Sequence, residues 1–66
     1  MTTMKTTADQ VRAGQYIEVE GKSVRVLGVR PHNGGVRITV ELTGDEGTVP
    51  VGFWSRAGTR LRVLPA

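Results

Sequence analysis

Pro31-His32-Asn33-Gly34-Gly35-Val36-Arg37-Ile38-Thr39-Val40-Glu41-Leu42 is the stretch that decides the fold. From Val36 onward the side chains alternate. Val36, Ile38, Val40 and Leu42 share one face, and Arg37, Thr39 and Glu41 share the other, which is the period-2 pattern of a half-buried strand. The residues before it read as a loop: proline fixes φ and ends the preceding strand, and Asn33-Gly34 supplies the positive-φ pair of a tight hairpin.

The same grammar extends in both directions. Downstream, Gly44-Asp45-Glu46-Gly47 turns the chain into a strand over residues 48–54, with Val49, Val51 and Phe53 facing inward. Pro50 on that strand indicates an edge or a bulge, because proline cannot donate to a ladder. Ser55-Arg56-Ala57-Gly58 suits one 3₁₀ turn, and a last strand over residues 59–64 turns Leu61 and Val63 inward. Upstream, a strand over residues 23–30 turns Val24 and Val26 inward, but Leu27 and Val29 have the opposite parity. A step of one residue beside Gly28 is how a β-bulge or a sharp bend reads. Glu20-Gly21-Lys22 turns the chain from a first strand over residues 16–20, whose inward residues are Ile17 and Val19. Residues 8–12 allow a single helical turn, capped by Thr7 and stopped at Gly14. Residues 1–7 carry no periodicity and read as a flexible, disordered tail ahead of one domain over residues 8–66.

Ten valines and two isoleucines against four leucines favour strand over helix. A chain of 66 residues supports one thin core, burying about 60% of the surface its unfolded form exposes. With no cysteine, neither a disulfide nor a thiolate metal site can reinforce it. Five short strands of this kind gain stability by wrapping, which points to an all-β fold, a small five-stranded SH3-like barrel. No apolar run approaches the ~20 residues that span a bilayer. The start of the chain lacks a signal-peptide core, and a cytoplasmic setting fits.

Motifs that suggest catalysis dissolve on inspection. Gly21-Lys22-Ser23 ends like a phosphate-binding loop, yet Tyr16 stands where that motif needs its first glycine, and no helix follows. His32 is the lone histidine and lacks companions for a metal site. Glu18 and Glu20 point to one side of a strand roughly 7 Å apart, a glycosidase-like spacing. They lie there on an open surface with nothing to separate their acidities. These patterns exclude an enzyme and imply no cofactor or metal.

The charge pattern points elsewhere. Nine Lys and Arg oppose six Asp and Glu, and seven of the cations are arginine, whose planar fork suits phosphate. Arg25, Arg37 and Arg62 have outward parity, as do Tyr16 and Trp54. Arg56, Arg60 and Arg62 form the strongest single-sign run of the chain. Arginines interleaved with aromatics make a surface on which phosphates pair and bases stack.

From Val11 to Leu42 the layout resembles the SH3-like domains of translation factors. The stretch Arg12-Ala13-Gly14-Gln15-Tyr16-Ile17-Glu18-Val19-Glu20-Gly21-Lys22-Ser23-Val24-Arg25-Val26 carries the resemblance to the KOW-like N-terminal domain of elongation factor P. It implies the barrel fold and a nucleic-acid partner. The family's loop between the two long strands presents a basic residue to tRNA, and residues 31–35 here have none at the tip. Two function classes follow. The first is a small non-catalytic bacterial domain binding DNA or RNA through Arg37, Arg56, Arg60 and Arg62, with Tyr16 and Trp54 as stacking platforms. The second is a protein–protein module, or a structural subunit of a bacterial, plasmid or phage assembly, that takes its partner in an aromatic groove or on an unpaired edge near Pro50. A continuous basic face favours the first; arginines scattered among Glu18, Glu20 and Glu41 favour the second.

Overall fold

The computed structural model describes residues 4–64 and is all-β. Six strands run Met4–Thr7 (β1), Tyr16–Val19 (β2), Lys22–His32 (β3), Gly35–Gly44 (β4), Gly47–Arg56 (β5) and Arg60–Leu64 (β6). They form one antiparallel sheet in the order β1-β6-β2-β3-β4-β5. The sheet is open, with β1 and β5 at its edges, so the five-stranded closed barrel expected from sequence is replaced by a six-stranded open sheet. The additional strand comes from the expected tail. Met4–Thr7 pairs along β6, from Met4 opposite Val63 to Thr7 opposite Arg60. Threonines have high strand propensity and need no apolar period to occupy an edge. Residues 1–3 of that tail and residues 65–66 lie outside the described residues.

All three hairpins have two-residue connections, with Asp45 and Glu46 joining β4 to β5. Glu20 (φ 51°) and Gly21 (φ 80°) join β2 to β3, and Asn33 (φ 47°) and Gly34 (φ 77°) join β3 to β4. Positive φ at both central residues is the primed turn whose twist matches the flanking strands. The loop over residues 31–35 therefore shrinks to two residues, and His32 pairs with Gly35. Pro31 lies inside β3, opposite Val36. Its donor-less nitrogen points away from β4, to a side where β2 no longer runs.

The bulge read from sequence is present. Val26 pairs with Val40 and Gly28 with Thr39, leaving Leu27 as the extra residue. The insertion returns Val29 to the core face, where it packs against the core, and turns Leu27 out to 40% exposure. The core proper is Ala8, Val11, Ile17, Val24, Val26, Val36, Ile38 and Val40, with Val19, Val29, Phe53, Leu61 and Val63 packed against it. Ala8 belongs to a 3₁₀ turn (Ala8–Gln10) that seals one end of the core. Its amide donates to the Thr59 carbonyl at 2.7 Å, and the Asp9 amide donates to the Ala57 carbonyl at 3.3 Å. Thr7 stands at the N-cap of this turn but makes no side-chain cap. The expected 3₁₀ turn at residues 55–58 is instead a β-turn, closed by Thr59 N–H on the Arg56 carbonyl at 3.0 Å.

Three residues expected inside are not. Leu42, Val49 and Val51 have core-face parity, yet they are 36%, 55% and 38% exposed. The β3–β4 ladder ends at Arg25 opposite Glu41, so Leu42 and Val49 lie on a two-stranded ribbon of β4 and β5 beyond it, while Val51, opposite Val40, is exposed on the edge strand itself. A closed barrel would cover these side chains; an open sheet does not. Ile38→Ala therefore lowers the unfolding free energy by about 2–5 kcal/mol. Val49→Thr, by contrast, changes it by about 0.5 kcal/mol or less. Urea denaturation of both variants checks this contrast, and equal losses would contradict the open sheet.

Candidate nucleic-acid interface

The outer face of the sheet is built by strand parity. Across its β3–β4–β5 end the register places Arg30 opposite Arg37, and Arg37 opposite Trp54. One step along lie His32, Gly35 and Arg56; on the other side lie Gly28, Thr39 and Gly52. No carboxylate occupies these positions. Because the two-residue turn makes His32 and Gly35 a hydrogen-bonded pair, Arg30 and Arg37 are the next such pair. Their Cα atoms are about 5.5 Å apart. Like charges directly opposite each other destabilise a sheet.

Two glycines seat the long side chains of this row. A Cβ on Gly35 would meet the Ser55 carbonyl oxygen first and then Cζ2 and Cε2 of Trp54 at 2.6 and 2.7 Å, so the β5 backbone and the indole both close over the bare Gly35 backbone. Its Nε1–H donates to the His32 carbonyl at 2.8 Å. The ring is thereby fixed by one edge and one face, while the residue stays 46% exposed. A Cβ on Gly52 would meet the Arg37 guanidinium, with Nη2 at 3.1 Å. Arg37 and Trp54 thus lean in opposite directions along the hairpin, so the free indole face is not covered by the guanidinium.

The six residues singled out in the sequence divide into two groups. Arg37, Trp54 and Arg56 come together at the β4–β5 end. Arg60 and Arg62 lie on β6, which is not hydrogen-bonded to β4 or β5 but follows Arg56 directly through the turn closed by Thr59. Tyr16, on β2, is paired with Leu64 of β6 and with Arg25 of β3. The charge of the second group is partly offset: Arg62 Nη1 lies 4.0 Å from Glu18 Oε2. Arg25 likewise sits opposite Glu41. Arg60 borders a shallow depression lined with Lys5, Thr6 and Thr7. The basic face is therefore not continuous. Its middle is interleaved with acids, and the arginine-rich, acid-free part is the Arg30–Arg37–Arg56 end. Arg62–Glu18 is the one ion pair among the described residues.

Arg30 is the member that the sequence reading left out. The signal was present: a two-residue Asn33-Gly34 turn forces 32 opposite 35, and hence 30 opposite 37. Reading residues 31–35 as a five-residue loop hid that count.

No protein-family model, curated protein or solved structure matches this chain. Among the described residues no helix is long and apolar enough to cross a membrane.

The seat of Trp54 can be tested directly, since it is the single tryptophan. Gly35→Ala drives a Cβ into the Ser55 carbonyl as well as into the indole, so β5 and Trp54 both shift and the bond to His32 is broken, at an overpacking cost of about 1–3 kcal/mol. Intrinsic fluorescence of the folded variant shifts relative to the parent. An unchanged emission spectrum with unchanged stability would contradict the seating.

Proposed function

We propose that this protein is a small non-catalytic domain that binds nucleic acid through the Arg30–Arg37–Trp54 row, flanked by Arg56. The observation that carries the reading is the Arg30–Arg37 cross-strand pair beside an exposed, immobilised indole. Two arginines held opposite each other with no acid nearby impose a local electrostatic cost on the sheet. A phosphate placed between them reverses that cost, because each guanidinium presents a planar fork of donors to it. The open indole face, next in the same row, accepts a stacked base. Sites where a sequence breaks a local folding rule without local compensation are where function is expected.

The indole face narrows the ligand. A ring lying flat against the sheet stacks on an unpaired base, whereas bases inside a duplex are already stacked on one another. Single-stranded DNA or RNA is therefore the favoured partner. Affinity arises mainly from counterion release and stacking, so sequence preference is small. Arg60 follows Arg56 across the turn that joins β5 to β6, so Arg60 and Arg62, with Tyr16 on the neighbouring β2, extend the surface for a longer strand. The SH3-like likeness read between Val11 and Leu42 is compatible with such a surface, and a bacterial cytoplasmic setting belongs to the same reading.

The test is a fluorescence titration with single-stranded oligonucleotides at several salt concentrations. Trp54 emission is quenched on binding, and log affinity falls linearly with log salt. Arg30→Gln and Arg37→Gln each weaken binding and reduce the magnitude of the salt slope by about 1. Lys22→Gln, in the β2–β3 hairpin, leaves the Trp54 quench intact. Affinity indifferent to salt, or slopes unchanged in both arginine variants, would overturn the reading.

A further inference from the structure

The β5 edge is long, open and unusual in composition. The two-residue turn at Asn33-Gly34 sets the phase of β4: Gly35, Arg37 and Thr39 turn their backbone groups toward β3, and Val36, Ile38, Val40 and Leu42 turn theirs toward β5. On β5, Val49, Val51, Phe53 and Ser55 therefore bond to β4, while Thr48, Pro50, Gly52 and Trp54 direct their backbone groups to the open edge. Residues 47–52 are all exposed. On the core face, the same stretch exposes Val49 and Val51. Natural sheets usually shield such an edge with charge. Between Gly47 and Ser55 this strand carries none; its one shielding feature is Pro50, which removes a single donor.

We propose that two copies of this chain pair through β5, edge to edge and antiparallel, in the register centred on Val51. Only registers that bring outward-facing backbone groups opposite one another can form bonds, so the centre falls on Pro50, Val51, Gly52 or a more distant residue. Centring on Pro50 opposes two residues that both lack a donor. Centring on Gly52 sets Val49 against Ser55 and Thr48 against Arg56. Centring on Val51 satisfies three requirements together. On the core face Val51 meets Val51 of the second copy, and Val49 meets Phe53, so each exposed apolar residue gains an apolar neighbour. Along the edge Thr48 exchanges bonds with Trp54, and the Gly52 amide donates to the Pro50 carbonyl, so the missing proline donor breaks only one bond of each such pair. At the two ends, Glu46 of each copy faces Arg56 of the other.

The charge complementarity selects a second copy of this chain as the occupant. The acidic turn Asp45-Glu46 and the basic end at Arg56 lie at opposite ends of one strand, so the strand is complementary to itself when reversed. The pairing engages Arg56 but leaves Arg30, Arg37 and the indole of Trp54 on the outer face. It joins two such rows across one continuous sheet. The dimer does not depend on the nucleic-acid reading.

Sedimentation equilibrium across micromolar to millimolar protein tests it. The parent is expected to show a reversible monomer–dimer equilibrium. Glu46→Arg alone and Arg56→Glu alone each turn two attractive contacts into repulsive ones and weaken the dimer by about tenfold. The double variant E46R/R56E restores the parent dissociation constant, because the reversed pair is equivalent. Val51→Lys places two like charges at the centre and abolishes the dimer; circular dichroism reports whether it remains folded, and the charge-swap series stands without it. A parent that stays monomeric at every concentration overturns the proposal. So does an association that the single charge variants leave unchanged, or one that the double variant fails to restore.

Discussion

Asn33 and Gly34 both hold positive φ, and the two-residue turn they form sets His32 against Gly35. That single constraint propagates through half of the molecule. It phases β4, so that Val36, Ile38 and Val40 enter the core together. It places Arg30 against Arg37, although like charges resist the pairing. Through β4 it also decides which backbone groups of β5 are bonded and which are left at the edge. A slip of one residue would turn every one of these side chains to the other face, so the primed turn is the register pin of the sheet. A second device allows the long β3 strand to serve two neighbours. The bulge at Leu27 returns the later part of β3 to the correct parity against β4, after its first part has paired with β2.

Glycine serves two distinct purposes in this chain. Gly21 and Gly34 are needed for their backbone conformation. Gly35 and Gly52 are needed for the space where a side chain would be: one is covered by the Trp54 indole, the other by the Arg37 guanidinium. In a molecule whose core is a thin set of valines, isoleucines and one alanine, the long side chains of the outer face need a seat of their own. Bare backbone on a paired strand takes that role. It presents a flat seat, and the His32 carbonyl completes the seat for the indole. The candidate interface is therefore preorganised by the sheet itself.

Openness is the other defining property. The β4–β5 ribbon extends past the last β3 pair, leaving Leu42 and Val49 exposed, and Val51 is exposed beside them on the edge strand. The exposed apolar face and the unpaired edge lie on the same strand, and both are satisfied by the same occupant. Pro50 limits indiscriminate pairing, since centring on it would set two residues without donors opposite each other and lose both bonds of that pair.

Much of this was legible in the linear chain. Period-2 alternation over residues 36–42, the Glu20-Gly21 and Asn33-Gly34 turns, and the parity break beside Gly28 are local properties, and local sterics alone determine them. Together with the alternation of the flanking segments they specified an all-β protein, five of its six strands closely, its bulge, and the outward direction of Arg37 and Trp54. The tertiary structure decided the rest, because the rest depends on contacts between residues distant in sequence. Met4–Thr7 has no period of its own and becomes a strand only because β6 offers it an edge. Leu42 and Val49 carry the right parity for the core, but parity chooses a face and cannot supply a layer to cover it. Arg30, Arg37, Trp54 and Gly35 form one site only after two hairpins bring three strands into register, whereas Arg60 and Arg62, close to Arg56 in the chain, pair with β1 and β2 instead of with β4 and β5.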